Sequence, residues 1–176
     1  FTNKIPDLKN LAKIQDDLLM KYWEGLGYYS RVRNLKKTAI KILKDFNGKL
    51  PSTIEELKSL PGIGEYTSRA IMAIAFNKKI IPLDGNVERI IKRVFYLKKE
   101  NQISKENLNK KKFFFGISNR SSDYAQALME IGALICKPVN PLCFRCPISN
   151  HCISFKKNDF EIKTKNKLNK TKYFEA

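Results

Sequence analysis

The 176-residue sequence lacks several patterns that would assign it to other classes of protein. No stretch approaches the roughly 18 consecutive apolar residues of a membrane-spanning helix, and the first residues lack the apolar core of a signal peptide. No run alternates apolar and polar residues for long enough to predict a half-buried strand. We therefore expect a soluble, cytoplasmic protein of the all-α class that does not associate with a membrane.

Acidic residues are scarce relative to basic ones. The chain has 17 Asp and Glu against 34 Lys and Arg, which gives a net charge of +17 at pH 7. Such a surplus attracts polyanions and costs stability through self-repulsion, so solubility alone does not explain it. Because 43% of the residues are hydrophobic, the chain also has enough apolar material to fold. These numbers predict a folded protein whose partner is a nucleic acid.

Turn residues divide the first half of the chain into short helices. Apolar residues at helical spacing predict a helix over 35–46 that ends at Asn47-Gly48. Ser52 followed by Glu55 predicts a capping box for a short helix. A further compact helix is predicted from Tyr66 to Phe76.

The second half of the chain shows fewer helices. One is predicted directly after Asp84-Gly85-Asn86, with a buried stripe formed by Val87, Ile90, Ile91 and Val94. Another is predicted over residues 122–135 and runs into the cysteines. Between them, residues 98–112 are basic and rich in Asn, which predicts a loosely ordered connection.

All four cysteines lie in one short segment, as Cys136, Cys143, Cys146 and Cys152. A disulfide framework is disfavoured in a basic intracellular chain, because that compartment is reducing. Zinc ligands usually form two C-x2–4-C pairs, whereas only one such pair is present here. The wide outer gaps favour a [4Fe–4S] cluster with one thiolate on each iron, and zinc is the alternative. His151 is interpreted as a surface residue beside the fourth cysteine.

Two further features could carry chemistry. The segment Leu60–Gly64, Leu-Pro-Gly-Ile-Gly, lies between two predicted helices and has a helix–hairpin–helix pattern, whose exposed N–H groups can bind a phosphate. An ordinary helix-linking turn is the alternative. Asp84 lies directly before a predicted helix, where it is expected to act as the N-cap. A carboxylate held ionised there could also stabilise a positive charge in a substrate.

Taken in this order, the Leu60–Gly64 segment, Leu83–Val87 and the four-cysteine spacing resemble the helix–hairpin–helix DNA glycosylase superfamily of endonuclease III. Within it, residues 25–35 (Gly-Leu-Gly-Tyr-Tyr-Ser-Arg-Val-Arg-Asn-Leu), 83–87 and 126–133 resemble the MutY-type adenine DNA glycosylases, which remove adenine mispaired with 8-oxoguanine. The resemblance implies a helical barrel domain over 1–98, with the helix–hairpin–helix at 53–76. It further implies an iron–sulfur cluster domain over 99–155 and a basic linker over 156–176.

The resemblance also implies roles for individual residues. Asp84 is the expected catalytic carboxylate, and the four cysteines are the expected ligands of the [4Fe–4S] cluster. Tyr28 and Tyr29 are expected to stack on bases or wedge the duplex, with core packing beside Trp23 as the alternative. The full set of expected DNA-binding residues is Leu60, Pro61, Gly62, Ile63, Gly64, Tyr66, Thr67, Tyr28, Tyr29 and Arg31. The expected partner is double-stranded DNA containing an adenine mispair, bound by a monomer in the bacterial cytoplasm or nucleoid.

Tyr66 stands where the bifunctional lyases of the superfamily have a nucleophilic lysine, so we expect a monofunctional hydrolase that uses water. A thymine or uracil mismatch glycosylase of the same superfamily is the first alternative, and a DNA-binding fragment without activity is the second. In the family, an upstream glutamate protonates the base, and a C-terminal domain recognises the oxidised guanine. No residue here matches that glutamate, so we expect the chain to be inactive alone.

Overall fold

The computed structural model describes residues 1–99, 106, 110, 111 and 119–161. These residues form helices, turns and loops, and no strand occurs among them, which confirms the all-α prediction. None of the helices in this part of the chain is both long and apolar enough to cross a membrane. Most of the predicted connection over 98–112 and residues 162–176 of the predicted linker lie outside the described residues.

The chain forms two compact units. Unit 1 contains Phe1–Leu83 with Ile117–Ala127, and unit 2 contains Asp84–Gly116 with Leu128–Ala176. The two units meet in the sequence between Leu83 and Asp84, whereas the sequence predicts a domain boundary between residues 98 and 99. The domain boundary stays a prediction.

Unit 1 is built on five helices that enclose two apolar clusters. The helices are α1 (Leu8–Lys13), α2 (Asp16–Tyr22), α3 (Ser30–Asp45), α4 (Ile54–Lys58) and α5 (Glu65–Ile74). One cluster is formed by Ile5, Leu11, Leu19, Val32 and Ala39. The other is formed by Ile42, Leu57, Leu60 and Met72. Because α3 contributes to both clusters, it fixes the position of the α4–α5 pair within this unit.

The boundaries of these helices test the predicted turn signals. After α3, Asn47 and Gly48 have positive φ angles of 53° and 76°, as predicted for the end of this helix. The capping box was predicted one residue too early. Thr53 is the N-cap of α4, and its Oγ1 accepts from the Glu56 N–H at 3.3 Å and donates to Glu56 Oε2 at 2.8 Å. Ser52 with Glu55 and Thr53 with Glu56 both fit the capping-box pattern. The β-branched Thr53, however, favours the extended backbone conformation of an N-cap over a helical one.

Unit 2 is organised around α6 (Gly85–Val94), whose predicted stripe of Val87, Ile90, Ile91 and Val94 is buried, as expected. Helix α7 (Ser121–Glu130) begins in unit 1 and reaches unit 2 at Leu128. Two short 3-10 turns (Cys143–Arg145 and Ser149–His151) and α8 (Ile153–Lys156) follow. Both α8 and the segment that follows α7 (Ile131–Ile135) pack against α6.

The helix predicted over residues 122–135 does not continue as an α-helix to its end. Residues Ile131–Ile135 form a π-helical turn instead. Gly132, in this turn, lies so close to α6 that a Cβ atom on it would be 2.6 Å from the Asn86 Cβ. Arg89 of α6 donates to the carbonyl oxygens of Gly132 at 2.6 Å and Cys136 at 2.7 Å. These contacts hold the π-helical turn against α6, and periodicity alone does not predict such a turn.

Candidate functional site

Asp84 is the N-cap of α6, as predicted. Its Oδ1 accepts the Val87 N–H at 2.7 Å, and its Oδ2 is 3.4 Å from the Asn86 Nδ2. The side chain is half-buried at the N-terminus of a ten-residue helix, where the helix dipole favours a negative charge. Capping is therefore shown, and the contact of the second carboxylate oxygen with Asn86 is a long one.

A chain of hydrogen bonds within unit 2 extends from this cap to the first cysteine. Asn86 Oδ1 accepts from the Arg89 Nη2 at 2.9 Å, and Arg89 Nε donates to the Cys136 carbonyl. Arg89 is half-buried and satisfies carbonyls at the end of the π-helical turn. The residues around Asp84 are consequently held in place by bonds to the segment that carries Cys136.

The Leu60–Gly64 hairpin lies between α4 and α5, as predicted. Gly62 has a φ of +76°, and Gly64 is the N-cap of α5. Since glycine has no side chain, no side-chain cap closes this helix start, unlike those of α1, α4 and α6. Gly62 and Gly64 are exposed, whereas Leu60 is buried in the core and Ile63 packs against it. A DNA contact by Leu60 or Ile63 therefore involves the backbone.

Helix α3 holds the other side of this hairpin. The buried Thr38 Oγ1 donates to the Pro61 carbonyl at 2.9 Å, and Lys41 Nζ donates to the Ser59 carbonyl at 2.9 Å. Asn34, one turn before Thr38, lies directly against Gly62, where a Cβ atom would be 2.8 Å from the Asn34 Nδ2. Three side chains on one face of α3 thus fix the hairpin from the side of its carbonyl groups.

Residues 25–29 form a tight loop before α3. Gly25, Gly27 and Tyr28 have φ angles of +81°, +63° and +48°. The Trp23 Nε1 donates to the Gly27 carbonyl at 2.9 Å, and the Arg31 guanidinium lies 5.4 Å from the Tyr28 ring centre. The Tyr28 side chain is 81% exposed and the Tyr29 side chain 42%, so neither is a core residue. The structure therefore contradicts core packing as the alternative for this pair.

The four cysteines line one cavity in unit 2. The remaining walls are mostly apolar and include Ile90, Ile135, Phe155 and Phe160. Burial raises the thiol pKa of Cys143, Cys146 and Cys152. Among the described residues, no group of three or more Cys, His, Asp or Glu side chains is arranged to hold a metal ion. His151 is exposed.

Arg93 is the charged residue of this cavity, and it is only 4% exposed. Its guanidinium donates to the carbonyls of Lys137 at 2.6 Å, Pro138 at 2.8 Å and Phe160 at 3.3 Å. It is also 3.5 Å from the Cys136 Sγ. One buried cation thus connects α6, the loop after the first cysteine and the segment after the last cysteine.

The sequence interpretation missed the supporting residues of both regions. For Arg89 and Arg93 a signal exists, because they are four residues apart on α6 and flank its apolar stripe, so both lie near its buried face. For Asn34, Thr38 and Lys41 no local signal exists. Their partners in the hairpin are more than 15 residues away along the chain.

Comparisons with known proteins agree with this architecture. The chain is 39% identical over 180 residues to the adenine DNA glycosylase of Buchnera aphidicola subsp. Baizongia pistaciae, covering 99% of this chain and 51% of that protein. It is 36% identical over 159 residues to the human adenine DNA glycosylase, covering 86% of this chain and 28% of that protein. The chain thus spans about half the length, or less, of the curated relatives it matches.

Solved structures show the same fold. A thermostable thymine-DNA glycosylase superposes with a TM-score of 0.74 at 28% identity, over 89% of this chain and 73% of that one. Endonuclease III in a non-covalent complex with DNA superposes with a TM-score of 0.70 at 25% identity, over the same shares. Residues 1–113 match the family model described as the HhH-GPD superfamily base excision DNA repair protein. The chain belongs to the HhH-GPD superfamily.

Proposed function

We propose that this chain forms the core of a base-excision DNA glycosylase that hydrolyses the N-glycosidic bond of adenine mispaired with 8-oxoguanine or guanine. The observation that carries the proposal is the Asp84 carboxylate at the N-terminus of α6, within a chain similar to adenine DNA glycosylases. The positive net charge of +17 supports DNA as the substrate.

Asp84 supplies the anion that this hydrolysis needs. The target nucleotide is extruded from the duplex, which costs less for a mispaired base. A general acid protonates the departing adenine, a role that the resemblance gives to a glutamate on an upstream helix. Cleavage leaves positive charge on the sugar, which the Asp84 carboxylate stabilises while water attacks the anomeric carbon. The water proton passes to a base, and Asp84 is positioned to accept it.

The neighbours of Asp84 keep its carboxylate oriented for this role. The Val87 N–H fixes one oxygen at 2.7 Å, while the other oxygen lies 3.4 Å from the Asn86 Nδ2. Because that contact is long and weak, the second oxygen can turn to a cationic sugar or a water molecule. Since Arg89 in turn binds Asn86, the orientation is supported by a charged side chain rather than by a flexible loop.

The hairpin supplies a contact to the DNA backbone that does not depend on base sequence. Thr38 and Lys41 bind its carbonyls, and no side chain caps the N–H groups at the start of α5. Such N–H groups bind phosphate well, and lysine and arginine side chains add the salt-dependent remainder. Tyr66 and Thr67, in the first turn of α5, lie beside this position.

Tyr28 is the residue best placed to contact bases. An exposed aromatic side chain on a non-glycine residue with positive φ has an energetic cost, which indicates a functional reason for it. Aromatic wedges of this kind unstack bases and help to extrude a nucleotide. Arg31, next to the Tyr28 ring, adds a positive charge that can attract the phosphates of the DNA backbone.

The cysteine cavity fits a [4Fe–4S] cluster, as the iron–sulfur clusters common in this family lead one to expect. Thiolates are costly in an apolar cavity unless metal ions compensate their charge, and burial already raises three of the four thiol pKa values. The four thiols share one cavity, and their wide outer spacing along the chain favours one thiolate on each of four irons over zinc. When bound, the cluster cross-links the loops between the cysteines.

Substituting Asp84 with Asn in the full-length protein tests the catalytic assignment. Asn keeps most of the capping ability, so the free energy of unfolding should fall by less than about 1 kcal/mol. Loss of the negative charge should lower single-turnover adenine excision by at least about 100-fold. The matched control is Asp7→Asn, which changes another aspartate N-cap, bonded to the Asn10 N–H at 2.8 Å.

The substrate is an oligonucleotide with adenine opposite 8-oxoguanine, and a thymine–guanine duplex is assayed in parallel. Excision by Asp84→Asn at the rate of Asp7→Asn would remove Asp84 from the catalytic role. Because this chain also superposes on a thymine-DNA glycosylase, preferential cleavage of the thymine duplex would establish the alternative substrate.

A further inference from the structure

The segment after the last cysteine returns to α6 and closes one side of the cysteine cavity. Phe160 is one of the residues that line this cavity. The Arg93 Nε donates to its carbonyl at 3.3 Å, and the guanidinium lies 5.9 Å from its ring centre. Phe160 is therefore a wall of the cavity, although it is separated from Cys152 by α8.

Asp159, the residue before Phe160, is bound from several directions. Its carboxylate accepts the Tyr96 hydroxyl at 2.6 Å and forms an ion pair with Lys98. Its N–H donates to the carbonyl of the buried Ser154 at 3.0 Å. The hydrogen bond from Lys98, followed by that from Tyr96, lowers the pKa of Asp159, so the carboxylate stays ionised. The contacts are charge-assisted and are stronger than bonds between neutral groups.

Tyr96 has the backbone conformation that brings its hydroxyl to this place. Its φ is +55°, which is unfavourable for a tyrosine, and it lies just beyond the end of α6. The ammonium groups of Lys98 and Lys157 lie 5.0 Å and 5.3 Å from its ring centre. A strained residue that is held by its surroundings indicates a built contact between the two segments.

We propose that Asp159 is a positioning residue whose bonds to Tyr96 and Lys98 hold Phe160 as the wall of the cysteine cavity, and so shield the bound cluster from oxidants. The inference rests on the proposed [4Fe–4S] cluster. Without these bonds the segment opens locally more often, because the bonds of Asp159 to Tyr96 and Lys98 no longer add to the contacts that Arg93 and Ser154 make with it. Oxidants then reach the cluster at a higher rate.

The test compares Asp159→Asn and Tyr96→Phe with the wild type and with Asp16→Asn. Asp16 is an ion-paired aspartate of unit 1, bound to Lys36, and serves as the matched control. Ferricyanide removes one electron from the cluster, which then releases one ferrous ion and leaves a three-iron cluster. A ferrous chelator reports the release, and electron paramagnetic resonance reports the three-iron product.

We expect iron release to be about tenfold faster in Asp159→Asn, since a charge-assisted bond and an ion pair are weakened together. Tyr96→Phe should be intermediate, and Asp16→Asn should match the wild type. The thermal unfolding midpoints should stay similar, which separates shielding from general destabilisation. Equal release rates in all four iron-containing proteins would overturn the inference.

Wild-type protein that contains no iron would overturn the cluster proposal instead. In that case, the rate at which a maleimide labels the four thiols decides the position of the wall. Faster labelling in Asp159→Asn and Tyr96→Phe would support the role of Asp159, and unchanged labelling would overturn it.

Discussion

The hairpin of unit 1 and the cysteine region of unit 2 (residues 136–152) are held in different ways. In the hairpin, side chains of α3 satisfy the carbonyls of Ser59 and Pro61, and a core of aliphatic residues lies beneath. The cysteine region consists of short turns whose thiols face an apolar cavity, and its pKa shifts disfavour thiolates there. The hairpin is thus held by contacts within the protein, whereas the cysteine region would be held by the proposed cluster.

The largest effect is expected from removing one proposed cluster ligand by Cys146→Ser. The protein should lose the iron of the proposed cluster, and residues 136–160 should lose several kcal/mol of local stability, because metal binding and folding are coupled in small metal-bound regions. Hydrogen exchange should rise in this segment and stay slow in α4 and α5. Equal loss of protection in both regions would show that the hairpin depends on the cluster as well.

The second effect concerns the hairpin alone. Gly62→Ala places a Cβ atom at a φ of +76° and within 3 Å of the Asn34 side chain, so unfolding should become easier by about 1–2 kcal/mol. Affinity for duplex DNA should fall as the turn shifts. The control is Gly64→Ala, where the φ is negative and no atom lies within 4 Å of the added Cβ.

Gly64→Ala should keep the stability of the wild type and affect only the approach of a phosphate. Thermal unfolding and fluorescence anisotropy with labelled duplex measure the two quantities separately. If Gly62→Ala bound DNA as well as the wild type, the hairpin would be an ordinary helix-linking turn.

A smaller effect is expected from Thr38→Val, which keeps the shape of the side chain and removes its hydroxyl. The Pro61 carbonyl then loses its donor at a buried position, at a cost of about 1 kcal/mol. DNA affinity should fall several-fold at low salt, and Thr38→Ser, which retains the hydroxyl, should restore most of it. If the Thr38→Val and Thr38→Ser variants bound DNA with identical affinities, α3 would not orient the hairpin.

The smallest effect is expected from Glu65→Gln at the start of α5. Hydrogen bonds from Lys58 and Arg69 lower the pKa of Glu65 to about 2, so these two cations are partly neutralised beside the hairpin. The substitution should release them and raise DNA affinity slightly at low salt, with the gain lost at high salt. Lower affinity at low salt would contradict this account.

The same pKa shift gives a small pH dependence. A lowered pKa in the folded state stabilises the protein above the unfolded value of 4.5, and the contribution is lost as the pH falls towards 2. Because Glu65 is on the surface, the effect is modest. The difference in unfolding midpoint between the wild type and Glu65→Gln should therefore shrink over this range.

The sequence predicted local features well where one short pattern determines the structure. The end of α3 at Asn47-Gly48, the Asp84 cap and the buried stripe of α6 depend on neighbouring residues and were predicted correctly. The cap of α4 was predicted at Ser52 instead of Thr53, because two overlapping pairs fit the same motif. Local patterns thus predict the presence of a helix better than the residue at which it begins or ends.

Contacts between distant segments could not be predicted in this way. The Tyr96–Asp159 bond joins residues 63 positions apart, and the Arg93–Pro138 bond joins residues 45 positions apart. The resemblance to a family assigns roles to the cysteines and Asp84, which stay predictions, and it did not indicate the side chains that support them. Those supporting contacts depend on how the helices pack, which no single motif encodes.

The π-helical turn at Ile131–Ile135 has a consequence for the direction of Cys136. Each residue of an α-helix turns the chain by about 100°, so one residue more in this turn changes the direction in which every later residue leaves the helix. Deleting a single residue between Glu130 and Cys136 would turn the first cysteine about a quarter of a circle away from the cavity that it shares with the other three. The length of this segment is therefore as restricted as the identity of the cysteine that follows it.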